Sequence, residues 1–262
     1  MVECLAAIAA AKKHLRKRIA DRLRYVSQDS VIEQSNKIAD TVRSLPEYVS
    51  AKRIGLYMHM QISNVIPRKS GRNVEVMTDA LIKHAFDDGK LVFLPRIVNS
   101  SELSEDEQNS FSNTQSRDLQ STYFPSRFLK LLKMRDYDAV QELVVADDGS
   151  HTFTIKEPSE GEDALATSGL DLIIIPGLVF SKACERIGRG KGFYDNFIEL
   201  HRTVSQKWEK DAPSLVGIAL REQLIREEDT ADASMHEFPC EAHDQKLDVL
   251  VVESDVYRKS LQ

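Results

Sequence analysis

The sequence predicts an α/β protein: an open, mostly parallel, doubly wound sheet with helices on both faces, folded as a single domain over residues 1–262. Helical patterns alternate along the chain with short apolar runs of strand length, the order typical of βαβ units. One run, "LDLIIIP" at 170–176, is continuously apolar from Leu172 onward, as expected of a parallel strand covered on both faces. The chain has 262 residues, of which 42% are hydrophobic, and it can therefore bury a large core.

Residues 1–50 are predicted to be helical. Leu15, Ile19 and Leu23 recur every four residues, which indicates an amphipathic helix. A second helix follows, and Asp29 or Ser30 is expected to cap its first turn. The first helix also carries a group of basic residues that we expect on its opposite face, namely Lys12, Lys13, Arg16, Lys17 and Arg18.

The middle of the chain predicts one βαβ unit. A strand "RIGLYM" at 53–58, a helix over 73–89 and a strand "KLVFLP" at 90–95 follow one another, with a polar loop at 61–73. Residues 99–122 are rich in Ser, Asn, Gln and acids, so they are predicted to form an exposed insertion.

Regular structure is harder to assign between 123 and 168, where "ELVVAD" at 142–147 is a possible strand. Beyond the apolar run at 170–176, a helix is predicted over 192–208 and strands over 214–220 and 246–253.

Composition restricts the class of protein. The net charge of -6 gives no overall positive field for nucleic acid, and no apolar run is long enough to span a membrane. Cys4, Cys184 and Cys240 form neither a disulfide framework nor a zinc motif, which favours a reducing compartment. We therefore expect a cytoplasmic monomer; a mitochondrial location stays open because a basic amphipathic helix lies near the start.

The stretch "GRGKGFYD" at 188–195 follows the predicted buried strand closely and indicates an anion site. It matches neither GxxxxGK[ST] nor GxGxxG. Its glycines nevertheless permit the close backbone approach that lets N–H groups surround a phosphate, and Arg186, Arg189 and Lys191 add positive charge. Asp195 could hold a divalent cation. The alternative is a glycine turn with solvated basic residues and two core aromatics.

The segment "PGLVFSKACERIGRGKGFYD" at 176–195 resembles the signature of the 5-formyltetrahydrofolate cyclo-ligase family, also called methenyltetrahydrofolate synthetases. "AKKHLRKRI", "MQ…EVMT", "LPRI", "GIALREQ" and "FPCEAHDQKLD" resemble further family segments in the same order. The resemblance covers nearly the whole chain outside the insertions. It departs from the family pattern in a longer loop after Gln61, in Ser181 and Cys184 where an Asp and a Gly are common, and in an expanded 222–238.

The resemblance implies conversion of 5-formyltetrahydrofolate, with or without a polyglutamate tail, to 5,10-methenyltetrahydrofolate. ATP and Mg²⁺ are the implied cofactors, ADP and phosphate the other products, and a phosphorylated formyl group (an iminophosphate) the intermediate. Arg189 and Lys191 are the implied catalytic residues, and Asp195 and Asp244 the implied metal ligands. The implied ATP site comprises Lys12, Lys13, Arg16, Arg186, Gly188, Arg189, Gly190, Lys191, Gly192, Phe193 and Tyr194. The implied folate site comprises Met58, Glu75, Arg189, Gly190, Lys191, Gly192, Phe193 and Tyr194.

A second function stays open from the residues alone. The basic helix and the loop with its Arg, Lys and aromatic residues could belong to a non-catalytic nucleotide- or RNA-binding protein. The net negative charge and the lack of an RRM or KH pattern weigh against RNA.

Overall fold

The structure is a computed structural model that describes residues 2–60, 68–103, 108, 126–144, 155–207, 209–230, 238–241 and 243–260. The main sheet contains β1 Arg53–Gly55, β2 Leu91–Asn99, β3 Arg127–Lys133, β4 Leu172–Ile175, β7 Ser214–Ala219, β8 Val249–Val252 and β9 Asp255–Arg258. A separate hairpin pairs β5 Val179–Phe180 with β6 Arg186–Ile187. The helices are α1 Val2–Leu23, α2 Gln28–Ser44, α3 Pro46–Ser50, α4 Asp79–Asp87, α5 Tyr137–Gln141, α6 Phe193–Lys207 and α7 Glu227–Thr230, with short 3-10 turns at Ser100–Glu102 and Arg221–Gln223.

The sheet has the strand order β3-β2-β1-β4-β7-β8-β9. All four pairings from β2 through β1, β4 and β7 to β8 are parallel, and the two edge strands, β3 and β9, are antiparallel. The predicted mostly parallel sheet is thus confirmed. Chain order reverses between β1 and β4, because β2 lies on one side of β1 and β4 on the other. In open α/β sheets, ligands bind at the carboxyl ends of the strands beside such a reversal.

The sheet is covered on both faces, as predicted. Leu172 and Ile174 of β4 pack into a core with α1, α2 and α4, and Ile173 and Ile175 pack into a second core with α6. All four side chains are fully buried. The continuous apolar stretch Leu172–Ile175 follows from this two-sided burial, since neither set of alternating side chains contacts solvent.

The N-terminal helices form as the apolar spacing predicts, but the predicted cap is wrong. Leu15, Ile19 and Leu23 are fully buried. The hydroxyl that caps α2 belongs to Ser27, which accepts the backbone N–H of Ser30 at 3.1 Å.

The helix predicted over 73–89 begins later, at Asp79. The preceding residues use their backbone and side-chain groups in tertiary hydrogen bonds instead of helical ones. The backbone N–H of Met77 donates to the Ser35 hydroxyl at 2.9 Å, and the Thr78 hydroxyl donates to the carbonyl of Tyr57 at 2.8 Å. Residues 74–78 therefore lie as a buried, irregular segment against the end of β1.

Several predicted segments differ or lie beyond the described residues. The predicted strand at 53–58 is regular only to Gly55. Residues 142–144 are not a strand, and 145–147 lie outside the described residues. Of the predicted insertion at 99–122, only 99–103 and 108 are described, and there Leu103 packs with Val98 and Phe128. Within the part of the chain that the structure describes, none of the helices combines the length and apolar character that a bilayer span needs.

Candidate active site

Four segments that are distant in sequence meet beside the reversal between β1 and β4. They are α1, the segment after β1, the glycine loop 188–192 between β6 and α6, and residues 238–241 and 243–245 before β8. Arg16 Nε on α1 donates to the carbonyl of Gly188 at 2.8 Å. Arg189 in the loop reaches Glu75, and Lys12 on α1 reaches Asp244. These contacts define a candidate site around the loop.

The glycine loop has the backbone that an anion cradle requires. Gly190 and Gly192 have φ of 97° and 69°, values that side chains other than glycine rarely adopt. The helix α6 begins directly afterwards, at Phe193, as the sequence predicted. Its first N–H groups and its dipole therefore point their positive end at the loop. The Arg16 guanidinium lies alongside, because a Cβ atom built on Gly190 would lie 3.7 Å from Arg16 Cζ.

Glu75 is buried, and both of its carboxylate oxygens accept hydrogen bonds. Its Oε1 accepts the backbone N–H of Met60 at 2.9 Å, and its Oε2 accepts Arg189 Nη2 at 2.8 Å. Arg189 Nη1 also lies 3.6 Å from the Met60 sulfur. Burial, together with the negative charge of Glu75, raises the pKa values of Tyr57 and Tyr194 well above the usual range of tyrosine. Both rings therefore stay neutral beside this carboxylate.

Lys12 lies inside the protein and not on an exposed face. Its ammonium contacts Glu241 Oε2 and Asp244 Oδ2, both at 2.5 Å. Burial opposes the charged form of Lys12, but the hydrogen bonds that it donates to Asp244 and Glu241, together with their negative charges, outweigh burial and raise its pKa. The predicted opposite face is thus wrong for Lys12 and Arg16. Lys12, Arg16 and Ile19 recur at helical spacing on one side of α1, with the charged pair toward the loop.

Asp195 is bound to a buried arginine. Arg186 Nη2 donates to Asp195 Oδ1 at 2.5 Å, and the backbone N–H of Gln245 donates to the same oxygen at 3.2 Å. Arg186 is 5% exposed, and its Nε has no hydrogen-bond partner. The Gln245 contact brings Asp195 next to the segment that carries Asp244.

One group of potential metal ligands occurs among the described residues. Glu241, His243 and Asp244 each place a ligand atom within 4.8 Å of the others. This group includes Asp244 of the predicted pair but not Asp195. Carboxylate oxygens are the ligands that Mg²⁺ prefers, although here both acids already contact the Lys12 ammonium, whose single charge offsets one of the two negative charges. A divalent cation at this place would compete with the Lys12 ammonium.

The remaining predicted residues divide into exposed and packed ones. Lys13 and Lys191 are exposed, and Lys191 has no hydrogen-bond or ion-pair partner in the described chain. Phe193 and Tyr194 are half-buried against the core. Met58 is 6% exposed and packs in the core with α1, α2 and α4. The exposed lysines and the packed apolar side chains fit a site with a solvent-exposed cationic side and an apolar inner surface.

Two residues of the site were missed from the sequence. Met60 contacts both Glu75 and Arg189, so it is better placed for ligand contact than the predicted Met58. Glu241 shares Lys12 with Asp244. An acid three residues before Asp244 was visible in "CEAHD", but only the structure shows that both acids face α1.

The chain resembles proteins of known family across nearly its whole length. The model of the "5-formyltetrahydrofolate cyclo-ligase family" matches residues 8–253. The 5-formyltetrahydrofolate cyclo-ligase of Mus musculus is 28% identical over 249 residues, which are 94% of this chain and 95% of the relative. The Saccharomyces cerevisiae 5-formyltetrahydrofolate cyclo-ligase is 28% identical, over 92% of this chain and 95% of its own.

Solved structures show the same fold. The NMR structure of Aquifex aeolicus 5,10-methenyltetrahydrofolate synthetase superposes with a TM-score of 0.57 at 23% identity, covering 96% of each chain. The corresponding Mycoplasma pneumoniae structure gives 0.50 at 17% identity, over 95% of this chain and 99% of that one. Since the family match spans residues 8–253 and contains every contact described above, this chain belongs to the 5-formyltetrahydrofolate cyclo-ligase family.

Proposed function

We propose that this protein is an ATP-dependent ligase that converts 5-formyltetrahydrofolate to 5,10-methenyltetrahydrofolate, releasing ADP and phosphate. The observation that carries the proposal is the Arg189–Glu75 contact at 2.8 Å, which joins a glycine-rich cationic loop to a buried carboxylate. A phosphate site and an acceptor for the N–H groups of a pterin thereby lie side by side. The family membership and its relatives' names support the same reaction.

The reaction needs the formyl oxygen to become a leaving group. The formyl oxygen attacks the γ-phosphorus, ADP departs, N10 attacks the resulting iminophosphate carbon and loses its proton, and phosphate leaves with the former formyl oxygen. Phosphoryl transfer depends mainly on positioning and charge stabilisation. Lys191, exposed and unpaired among the described residues, is suited to the transferred phosphoryl group. The N–H groups around Gly190 and Gly192 are suited to the neighbouring phosphates.

Glu75 and Arg189 are suited to the folate side of the reaction. Glu75 is held in place by the Met60 N–H, so its second oxygen can exchange Arg189 for a pterin N–H. Arg189, once released, lies between the pterin position and the loop, where charge develops on the phosphorylated formyl oxygen. Tyr194 offers an apolar ring next to this carboxylate.

Mg²⁺ would be held by Asp195 and Asp244, with Glu241 as a further neighbour, and it would neutralise charge on the polyphosphate. One carboxylate oxygen of Asp195, Oδ2, takes part in no hydrogen bond among the described residues. Asp244 uses Oδ2 for Lys12 and for the backbone N–H of Glu241. Each acid therefore retains an oxygen for a cation.

An absorbance assay for methenyltetrahydrofolate tests the proposal. We expect product only when ATP, Mg²⁺ and 5-formyltetrahydrofolate are all present, with stoichiometric ADP. Absence of turnover at high enzyme concentration, with the folate still bound, would instead indicate a binding protein that retains the fold. We further propose action as a monomer, and a cytoplasmic location because the three cysteines form neither a disulfide framework nor a zinc motif. A relative from Arabidopsis thaliana is named mitochondrial, and gel filtration and localisation of the tagged protein test these two points.

A further inference from the structure

The segment 68–73, which precedes Glu75, is fixed tightly to the helix α1. The Arg24 Nε donates to the carbonyl of Arg68 at 2.8 Å, and Arg68 Nη1 donates to the carbonyl of Val26 at 2.8 Å. Between them Gly71 lies directly on the helix backbone. A Cβ atom built on it would lie 2.2 Å from the Ala20 carbonyl oxygen, so only glycine permits this approach. The segment is thus a docked part of the site wall.

This docking determines where Arg72 lies. The preceding residue, Gly71, contacts Ala20, which is one helical turn from Arg16 on the same side of α1. Three residues after Arg72, Glu75 is bonded to Arg189 in the site. Arg72 therefore lies between Arg16 on α1 and the carboxylate of Glu75. Burial lowers the pKa of Arg16, and the positive charge of Arg72 lowers it further, while the charges of Asp244 and Glu241 oppose this shift; the effect of Arg72 agrees with this placement.

Arg16 and Arg72 form no direct ion pair in the part of the chain that the structure describes, although the charges of Asp244 and Glu241 act on Arg16 from a greater distance. Among the residues that the structure describes, neither guanidinium forms an ion pair with a carboxylate. Arg16 uses Nε for the Gly188 carbonyl, which leaves its two terminal nitrogens for another acceptor. Arg72 is exposed, and within the described ranges its backbone N–H alone has an acceptor, the Ser70 hydroxyl. The two nearby guanidinium groups repel each other, and an anion between them reduces that repulsion.

We propose that Arg72 is a substrate-binding residue, which forms with Arg16 a clamp for a chain of oxyanions that extends outward from the glycine loop. Guanidinium groups bind phosphate and carboxylate oxygens through paired N–H donors. Within the proposed reaction, on which this inference rests, two substrates carry such a chain: the nucleotide triphosphate and a glutamylated folate tail. Arg72 lies outside the segment 176–195 that resembles the family signature, so the resemblance did not assign it a role.

The test compares Arg72→Ala with Lys69→Ala. Lys69 is an exposed cation of the same segment, so its removal changes the net charge equally. For each variant, kcat and KM are measured for ATP, for monoglutamyl 5-formyltetrahydrofolate and for its triglutamyl form. Binding of inorganic tripolyphosphate and of free triglutamate is measured by calorimetry, which does not depend on turnover. Unfolding midpoints in urea verify that both variants remain folded.

We expect Arg72→Ala to raise KM for one substrate by about tenfold, with kcat changed less than twofold and Lys69→Ala unchanged. A change confined to ATP, with weaker tripolyphosphate binding, assigns the clamp to the nucleotide. A change confined to the triglutamyl folate, with weaker triglutamate binding, assigns it to the folate tail. Either effect should diminish in high salt, because exposed charges are screened.

The clamp is refuted if Arg72→Ala and Lys69→Ala give the same KM values for all substrates, or if neither probe loses affinity for the Arg72 variant. Loss of kcat without a change in KM would also contradict it. Failure of the proposed function has a different signature. In that case the wild-type protein makes no methenyltetrahydrofolate. The calorimetric comparison of the two variants still decides whether Arg72 binds an oxyanion chain.

Discussion

Replacing Glu75 with Gln changes two hydrogen bonds and one charge in a buried place. Glu75 presents two acceptor oxygens to two donors, the Met60 N–H and Arg189 Nη2. Glutamine has one acceptor and one donor at the same positions. Whichever way the amide is turned, one N–H group then faces another N–H group, and Arg189 loses its counterion.

The size of the effect follows from burial. The Glu75 side chain is 5% exposed and the Arg189 side chain 22%. A hydrogen bond to a charged group contributes about 1.5–3 kcal/mol, and breaking a fully buried ion pair costs about 3–5 kcal/mol. Since Arg189 can turn partly toward water, we take the lower part of this range and expect unfolding free energy to fall by about 2 kcal/mol.

Urea unfolding and steady-state kinetics measure both consequences. The matched control is Glu102→Gln, because Glu102 pairs with Arg96 at 3.5 Å on the surface with side chains 42% and 33% exposed. We expect that control to change stability by less than about 0.5 kcal/mol and to leave kinetics unaltered. Glu75→Gln should also lower kcat/KM for the folate by about a hundredfold while the KM for ATP changes little. Equal stability of the two variants, or an unchanged folate KM, would refute the assigned role of Glu75.

Three further predictions concern the loop, the docked segment and the second core. Lys191→Ala should reduce turnover by at least about a hundredfold with an unchanged urea midpoint, because the side chain is exposed; near-normal kcat would remove it from the mechanism. Gly71→Ala should lower the free energy of unfolding by about 1–3 kcal/mol, because the added Cβ meets the Ala20 carbonyl. In this background, an additional Arg72→Ala substitution should have a smaller effect than in the wild-type protein. A variant as stable as the wild type would show that the segment is not docked. Burial lowers the pKa of His201 to about 4, and its Nε2 accepts the Leu170 N–H, so the native state holds the neutral ring. The unfolded state takes up a proton as pH falls below about 6.5, so unfolding free energy should fall by about 2 kcal/mol from pH 7 to pH 5, and His201→Gln should remove most of that decrease.

Elements with strong apolar patterns were predictable because their burial is visible in the sequence. The side chains of Leu172–Ile175 alternate between two cores, so each of these four positions must be apolar. The loop before α6 was predictable because Gly190 and Gly192 adopt positive φ that other residues avoid. In both cases one local physical requirement restricts the choice of residue.

The edge strands β3 and β9 were not predictable on the same grounds. β9 is an antiparallel edge whose side chains are mostly exposed, so it has no apolar pattern. β3, "RFLKLLK", buries residues in pairs and not alternately, so its sequence lacks the apolar–polar alternation that predicts a half-buried strand. The start of α4 was misplaced for a related reason. Hydrogen bonds from residues 77 and 78 to Ser35 and Tyr57 replace those of a helix, and such tertiary partners are absent from a local sequence window.

The basic residues of the site differ in whether a carboxylate already pairs with them. Lys12, Arg186 and Arg189 each have a carboxylate partner within 2.8 Å, so much of their field is already neutralised in the free protein. Their main effect is to fix the positions of acids that a metal ion or a pterin can use. Arg16 and Lys191 form no such pair among the described residues, so their field acts on an incoming anion. Removing a paired cation should therefore change stability and the position of an acid first, whereas removing an unpaired one should change anion affinity and its salt dependence.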